Sequence, residues 1–194
     1  METSVGTSVA VQSALRILPQ TARRRAVAPL ALLAALALMV SGCATTESED
    51  QLKARALDDA LAVCKAAVRA NPDDAQCRYY LGCAYAEKGL LDKAVVQFTE
   101  AIRLDPKHAD AYYQLGLVCH DMGLLDEAIL QHEKAAQLKP EDADVHYNLG
   151  VLYEKKQMPA KAADEFQRYL TCAPQAEDAT KVKQRIAELR SKAR

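Results

Sequence analysis

Residues 75–108 read AQCRYYLGCAYAEKGLLDKAVVQFTEAIRLDPKH, and the two stretches that follow, 109–142 and 143–176, repeat the pattern at the same 34-residue length. Pro106, Pro140 and Pro174 keep the spacing, and Pro72 keeps it one period earlier. Leu81, Leu115 and Leu149 share it, as do Gly82, Gly116 and Gly150, and Ala94, Ala128 and Ala162. Self-similarity of this period marks stacked helix–turn–helix units, none of which can bury its apolar face alone.

The residue types follow from that packing. Glycine inside a helix costs about 1 kcal/mol relative to alanine, so three in register need a reason. Small residues at Gly82 and Ala94 let helix axes approach to roughly 8–10 Å, while Leu81, Tyr85, Phe98 and Leu104 fill the space between. Each proline should close a second helix, because the residue before it is pushed out of the α region and its ring cannot continue the hydrogen-bond ladder. Asp73, Asp74 and Asp110 then fall near the start of each next first helix, and Asp92 and Asp126 near the start of second helices, where a carboxylate suits orphan N–H groups and the helix dipole.

Tyr79-Tyr80-Leu81-Gly82, Tyr85, Gly89, Ala94, Phe98, Ala101 and Pro106 resemble the tetratricopeptide repeat, TPR. The resemblance implies an all-α, right-handed solenoid of antiparallel helix pairs that holds protein partners rather than doing chemistry. Full repeats are expected at 75–108, 109–142 and 143–176. Residues 52–74 look like the second helix of a degenerate repeat, with Ala60, Ala67 and Pro72 in register and Cys64 where the family has an aromatic. Residues 177–194 supply a charged amphipathic capping helix of the kind a solenoid end needs for solubility. The third repeat departs most. Gln157 replaces the loop glycine, and Tyr169 replaces a small alanine, which predicts slightly splayed helices there.

The N-terminus belongs to another class. Arg23-Arg24-Arg25 precedes fifteen uncharged, mostly apolar residues, Ala26 to Val40. That is short of the ~20 needed to span a bilayer and fits a secretory signal segment. The run ends in Val40-Ser41-Gly42-Cys43, which resembles the bacterial lipobox. The resemblance implies removal of 1–42 and acylation of Cys43, and two or more acyl chains anchor a protein stably. Ala44 in place of an aspartate favours the outer membrane, facing the periplasm. Residues 43–51 then read as the acylated cysteine and a polar, acidic tether.

Cleavage before Cys43 removes four arginines and Glu2, leaving 21 basic and 25 acidic residues, a net charge of −4. With no basic stripe, nucleic acid is not an expected partner. Beyond Cys43 the cysteines are Cys64, Cys77, Cys83, Cys119 and Cys172. Most fall on packing or inner-face positions, so they read as small buried hydrophobes. The sharper alternative is one disulfide, Cys64–Cys83, across the Pro72 turn.

No catalytic, cofactor or metal constellation stands out. Cys119 and His120 are adjacent, so on a helix they point about 100° apart. His132 occupies the aromatic slot of its repeat and His146 a second packing slot. HExxH, CxxC, GxSxG and phosphate-loop motifs are absent from the sequence. A small-molecule substrate is therefore not expected either, and the chain reads as a non-enzyme.

In the family it resembles, the first helix of each repeat lines a concave groove. On the first repeat, Gln76, Tyr79, Cys83 and Ala86 centre about 130° from the packing side. Their equivalents are Asp110, Tyr113, Leu117 and His120, then Asp144, Tyr147, Val151 and Glu154. Tyrosine recurs as Tyr79, Tyr113 and Tyr147, turned by this arithmetic away from each unit's own core. Such a ladder suits binding of a helix or extended segment; the alternative is that tyrosine, common at this position in the family, only shapes the scaffold. Family members that clamp C-terminal carboxylates carry lysine, asparagine and arginine on this face. Here tyrosine, cysteine, leucine and valine stand there, so that capture mode is disfavoured. The expected function is a lipid-anchored adaptor of the bacterial envelope, similar to TPR lipoproteins that assist pilus secretin assembly. The alternative is a non-catalytic accessory subunit regulating an envelope enzyme such as a peptidoglycan hydrolase.

Overall fold

A computed structural model describes residues 49–193, which form helices and connecting turns only. The expected signal segment and Cys43 lie outside the described residues. The helices are α1 (Glu49–Ala70), α2 (Ala75–Glu87), α3 (Leu91–Leu104), α4 (Ala109–Asp121), α5 (Leu125–Leu138), α6 (Ala143–Lys155), α7 (Pro159–Cys172) and α8 (Ala179–Lys192). α2–α3, α4–α5 and α6–α7 are the three repeated pairs, with α1 before them and α8 after. α1 starts inside the expected tether, since Gln51, Leu52, Lys53 and Ala54 are strong helix formers that let it run toward the N-terminus.

The turns obey the local chemistry. The residues before Pro106, Pro140 and Pro174 have φ of −132°, −135° and −127°, outside the helical region. Asp74 caps α2 by accepting from the N–H groups of Gln76 (2.8 Å) and Cys77 (3.2 Å), and Asp142 caps α6 by accepting from Asp144 N–H (3.1 Å). At α4 the cap is His108, whose Nδ1 accepts from Ala111 N–H at 3.2 Å, while Asp110 lies within the first turn. Between the helices of each pair the chain turns through a left-handed residue. Gly89 has φ +69° and Gly123 φ +78°, and Gln157 holds φ +57° in the same place. A side chain pays roughly 1–2 kcal/mol for that conformation.

Within each pair the glycine of the first helix lies flat against the aromatic slot of the second. A Cβ on Gly82 would sit 2.6 Å from the Phe98 ring, one on Gly116 2.8 Å from His132, and one on Gly150 2.7 Å from Phe166. The three distances are alike, so the helices of the third pair are not splayed. Tyr169 is accommodated because its hydroxyl leaves the core to donate to Asp178 Oδ1 at 2.6 Å.

Units are joined by shared cores. One buried cluster runs from Ala94 and Phe98 through Leu115 and Ala128 to Leu152, and another from Ala135 through Leu149 and Phe166 to Ile186 and Leu189. A polar lock recurs at the turn before the first and third pairs. Arg78 donates to Pro72 O (3.2 Å) and to Gln97 Oε1 (3.2 Å). In the same positions, His146 bonds Pro140 O (2.9 Å) through Nε2 and Glu165 (2.8 Å) through Nδ1. His146 and Glu165 are both buried, so the lock is what satisfies them. On the surface, Lys88 pairs with Asp58 and Lys156 with Asp126 across unit boundaries. The third such position joins Asp92 to Met122, which cannot pair.

His132 is fully buried, and both ring nitrogens lack a hydrogen-bond partner. Burial, with His120 nearby, lowers its pKa from 6.5 to about 4, so it is a neutral ring filling a phenylalanine slot. The five cysteines are free thiols, so the Cys64–Cys83 bond is not formed. Burial pushes Cys64 up to about 11 and Cys83 up to about 12, which keeps both protonated.

Candidate interaction groove

The expected groove residues all lie on the first helices α2, α4 and α6, but they divide into two stripes. Tyr79, Tyr113 and Tyr147 are half-buried and engaged. The Tyr79 ring stands 6.0 Å from Phe98 and 4.9 Å from His108. Tyr113 stands 5.4 Å from His132, and its hydroxyl accepts from Asn148 Nδ2 at 3.1 Å. Tyr147 stands 5.6 Å from Phe166 and 5.2 Å from Tyr169. The tyrosines therefore do not turn away from their own units. Each lies on its own unit's aromatic slot; Tyr79 also meets His108, the cap of α4, and Tyr113 also reaches Asn148 of the next unit. The helical-wheel angle missed this because it fixes only where the Cβ starts, and a ring as long as tyrosine reaches from the flank of the first helix to the second. Burial, with Cys83 alongside, pushes the Tyr79 phenol well above its ordinary value.

The polar members are partly committed. Gln76, Asp110 and Asp144 are exposed at the helix starts, and Asp110 pairs with Lys139 at 2.6 Å. His120 Nε2 meets Lys155 Nζ. Glu154 accepts from Arg185 Nε of α8 at 2.7 Å, and the same guanidinium lies 4.7 Å over the Phe166 ring. The capping helix thus closes over the third unit's end of the face.

The other end is open. Between α2 and α4 lies a crevice of about 390 Å³, lined by Tyr79, Tyr80, Cys83, Ala86, Glu87, Gln114, Leu117, Val118 and Asp121. It brings together Tyr79, Cys83, Ala86 and Leu117 from the expected set, but not Gln76, Asp110, Tyr113, His120, Asp144, Tyr147, Val151 or Glu154. It adds Tyr80 with its equivalent Gln114, and Glu87 with its equivalent Asp121, which the sequence reading missed. The signal was present, since Gln76, Tyr80, Cys83 and Glu87 follow the i, i+4, i+7, i+11 spacing of one helical face. Taking Tyr79 and Ala86 in place of Tyr80 and Glu87 displaced the centre of the stripe by about 50°. Among the described residues, no cluster of histidine, cysteine, aspartate or glutamate is arranged to hold a metal ion. Nor is any described helix long and apolar enough to cross a membrane.

Comparison with known proteins agrees with this architecture. A family model described as TPR repeat matches residues 84–123 and 118–157, and one described as Tetratricopeptide repeat matches 45–98. No curated protein matches the chain. Among solved structures, a crystal structure of MamA is similar at 22% identity with a TM-score of 0.60, covering 75% of this chain and 91% of that one. MamA 41-end from Desulfovibrio magneticus RS-1 is similar at 22% and 0.60, covering 73% and 88%. The Arabidopsis OM64 TPR domain is similar at 22% and 0.55, covering 59% and 94%. The 34-residue register, the glycine-to-aromatic contact in every pair and the matched models together place this chain in the tetratricopeptide-repeat family.

Proposed function

We propose that the protein is a lipid-anchored adaptor of the bacterial cell envelope, held by an acylated Cys43, probing the periplasm with its first helices. The repeats supply a protein-binding scaffold. The observation that carries the reading is the open, aromatic-walled crevice between α2 and α4 on the face that first helices present. At the opposite end that face is closed by Arg185 and Glu154. Support for the envelope comes from Val40-Ser41-Gly42-Cys43 behind an apolar run and a basic triplet. Assembly of a pilus or secretion complex is the process we infer for such an adaptor, and the alternative is a non-catalytic accessory subunit regulating an envelope enzyme such as a peptidoglycan hydrolase.

Two measurements test the two halves. Intact mass of the native protein should show a chain beginning at an acylated Cys43; a different start or no acyl mass overturns the anchor. A photo-crosslinking amino acid at Leu117 should give discrete protein adducts in native envelopes. The same group at Val96, 60% exposed on the second helix α3, should give none. Adducts at Val96 alone would move the binding surface off the first helices.

A further inference from the structure

We infer that the crevice between α2 and α4 receives a partner segment presenting an arginine or lysine beside an apolar side chain, with Glu87 and Asp121 taking the cation. This rests on the adaptor reading of the same surface and specifies its partner. The walls are Tyr79, Tyr80, Cys83, Leu117 and Val118, so an apolar side chain or the aliphatic stem of a long one loses water on entering. The rim is acidic, and no basic residue lines the cavity.

The placing of the two carboxylates is the telling feature. Glu87 is the last residue of α2 and Asp121 the last of α4. A helix C-terminus carries the negative end of the dipole, where cations stabilise and anions do not. Both acids therefore stand where the fold alone disfavours them, and a bound cation reverses that penalty. Asp121 has only partial local compensation, from His120 Nδ1 at 3.9 Å. The equivalent residue of the third unit is Lys155, the last residue of α6 and the sign that the dipole favours. The unfavourable acids occur at the two helix ends that border the crevice, and not at the one that lies away from it. Local rules broken at one place and obeyed at its equivalent are the mark of a site kept for binding.

The test is selection of random twelve-residue peptides displayed on phage against the purified full-length protein, followed by affinity measurement of the enriched peptides. The expected result is enrichment of arginine or lysine next to leucine, isoleucine or phenylalanine. Their affinity should fall at least tenfold in Glu87→Lys/Asp121→Lys, fall similarly in Leu117→Glu, and weaken with rising salt. The charge reversals remove dipole conflicts, so the double variant should melt no lower than wild type. Enriched peptides that are neutral or acidic, or that lose affinity in Leu117→Glu but not on charge reversal, overturn this inference and leave the groove reading standing. Peptides indifferent to both variants, or no enrichment at all, overturn the groove reading as well.

Discussion

Two neighbouring stripes run along the first helices, and they behave differently. One recurs: Tyr79, Tyr113 and Tyr147 stand at identical register, lie on Phe98, His132 and Phe166, and are half-buried. The other varies: Cys83, Leu117 and Val151, and beside them Glu87, Asp121 and Lys155, change character from unit to unit. The varying stripe frames the crevice. Residues that repeat solve a problem every unit shares, which is packing. Residues that differ answer to something outside the fold, or mark where a unit departs from its neighbours. The aromatic slot shows both cases, since Phe98 and Phe166 repeat and His132 does not.

The sharpest way to break this comparison is to delete the recurring core. Phe166→Ala should cost about 3–5 kcal/mol of stability, because the ring is fully buried against Gly150 and a cavity remains. His132→Ala should cost clearly less, since it also removes two buried, unpartnered nitrogens. Equal losses in denaturant unfolding would contradict the distinction between the slots.

The next effect is set by pH. His132 has its pKa lowered from 6.5 to about 4, mainly by burial. Between those values the unfolded chain binds a proton that the folded chain does not, so stability is full above about 6.5 and falls as pH drops toward 4. The total loss is on the order of 3 kcal/mol. Unfolding midpoints measured across that window should decline in the wild type, and His132→Phe should remove this part of the decline. An unchanged pH profile in the variant would put the titrating group elsewhere.

Much of the fold was legible. The prolines fixed the helix ends because their effect on the preceding residue is local, and Gly82, Gly116 and Gly150 announced helix approaches so close that an added Cβ would come within 3 Å of the facing ring. Less of the site was legible, because it depends on where long side chains go. The tyrosines were assigned outward from backbone angle alone and instead lean onto the second helices. Glu87 and Asp121 were overlooked because a helix-end acid reads as solvent-facing until its neighbour across the crevice is known. His108 was not foreseen as a cap, since histidine rarely takes that role and Asp110 stood nearby. The Tyr169 replacement predicted splaying from volume, and its hydroxyl's route to Asp178 was not visible in one dimension.

The smallest expected effect sharpens the comparison at the turns. Gln157 holds φ +57° where Gly89 and Gly123 hold the same conformation without strain. Gln157→Gly should stabilise the third unit by about 1 kcal/mol, seen as a rise in unfolding midpoint. No gain would mean that the glutamine side chain compensates for its backbone.

The central claim is that partners are held at the crevice framed by the varying stripe and not along the tyrosine ladder, whose Tyr113 and Tyr147 lie outside it. The most direct measurement places a photo-crosslinking residue at Cys83 and reads adduct yield in native envelopes, with melting temperature, in two backgrounds. Leu117→Glu should abolish the adduct and leave the melting temperature nearly unchanged. Tyr113→Ala should lose about 1–3 kcal/mol of stability, reflecting a half-buried ring, and keep the adduct at temperatures where it is folded. The opposite pattern, with Tyr113→Ala stable but unable to form the adduct and Leu117→Glu still forming it, would contradict the account.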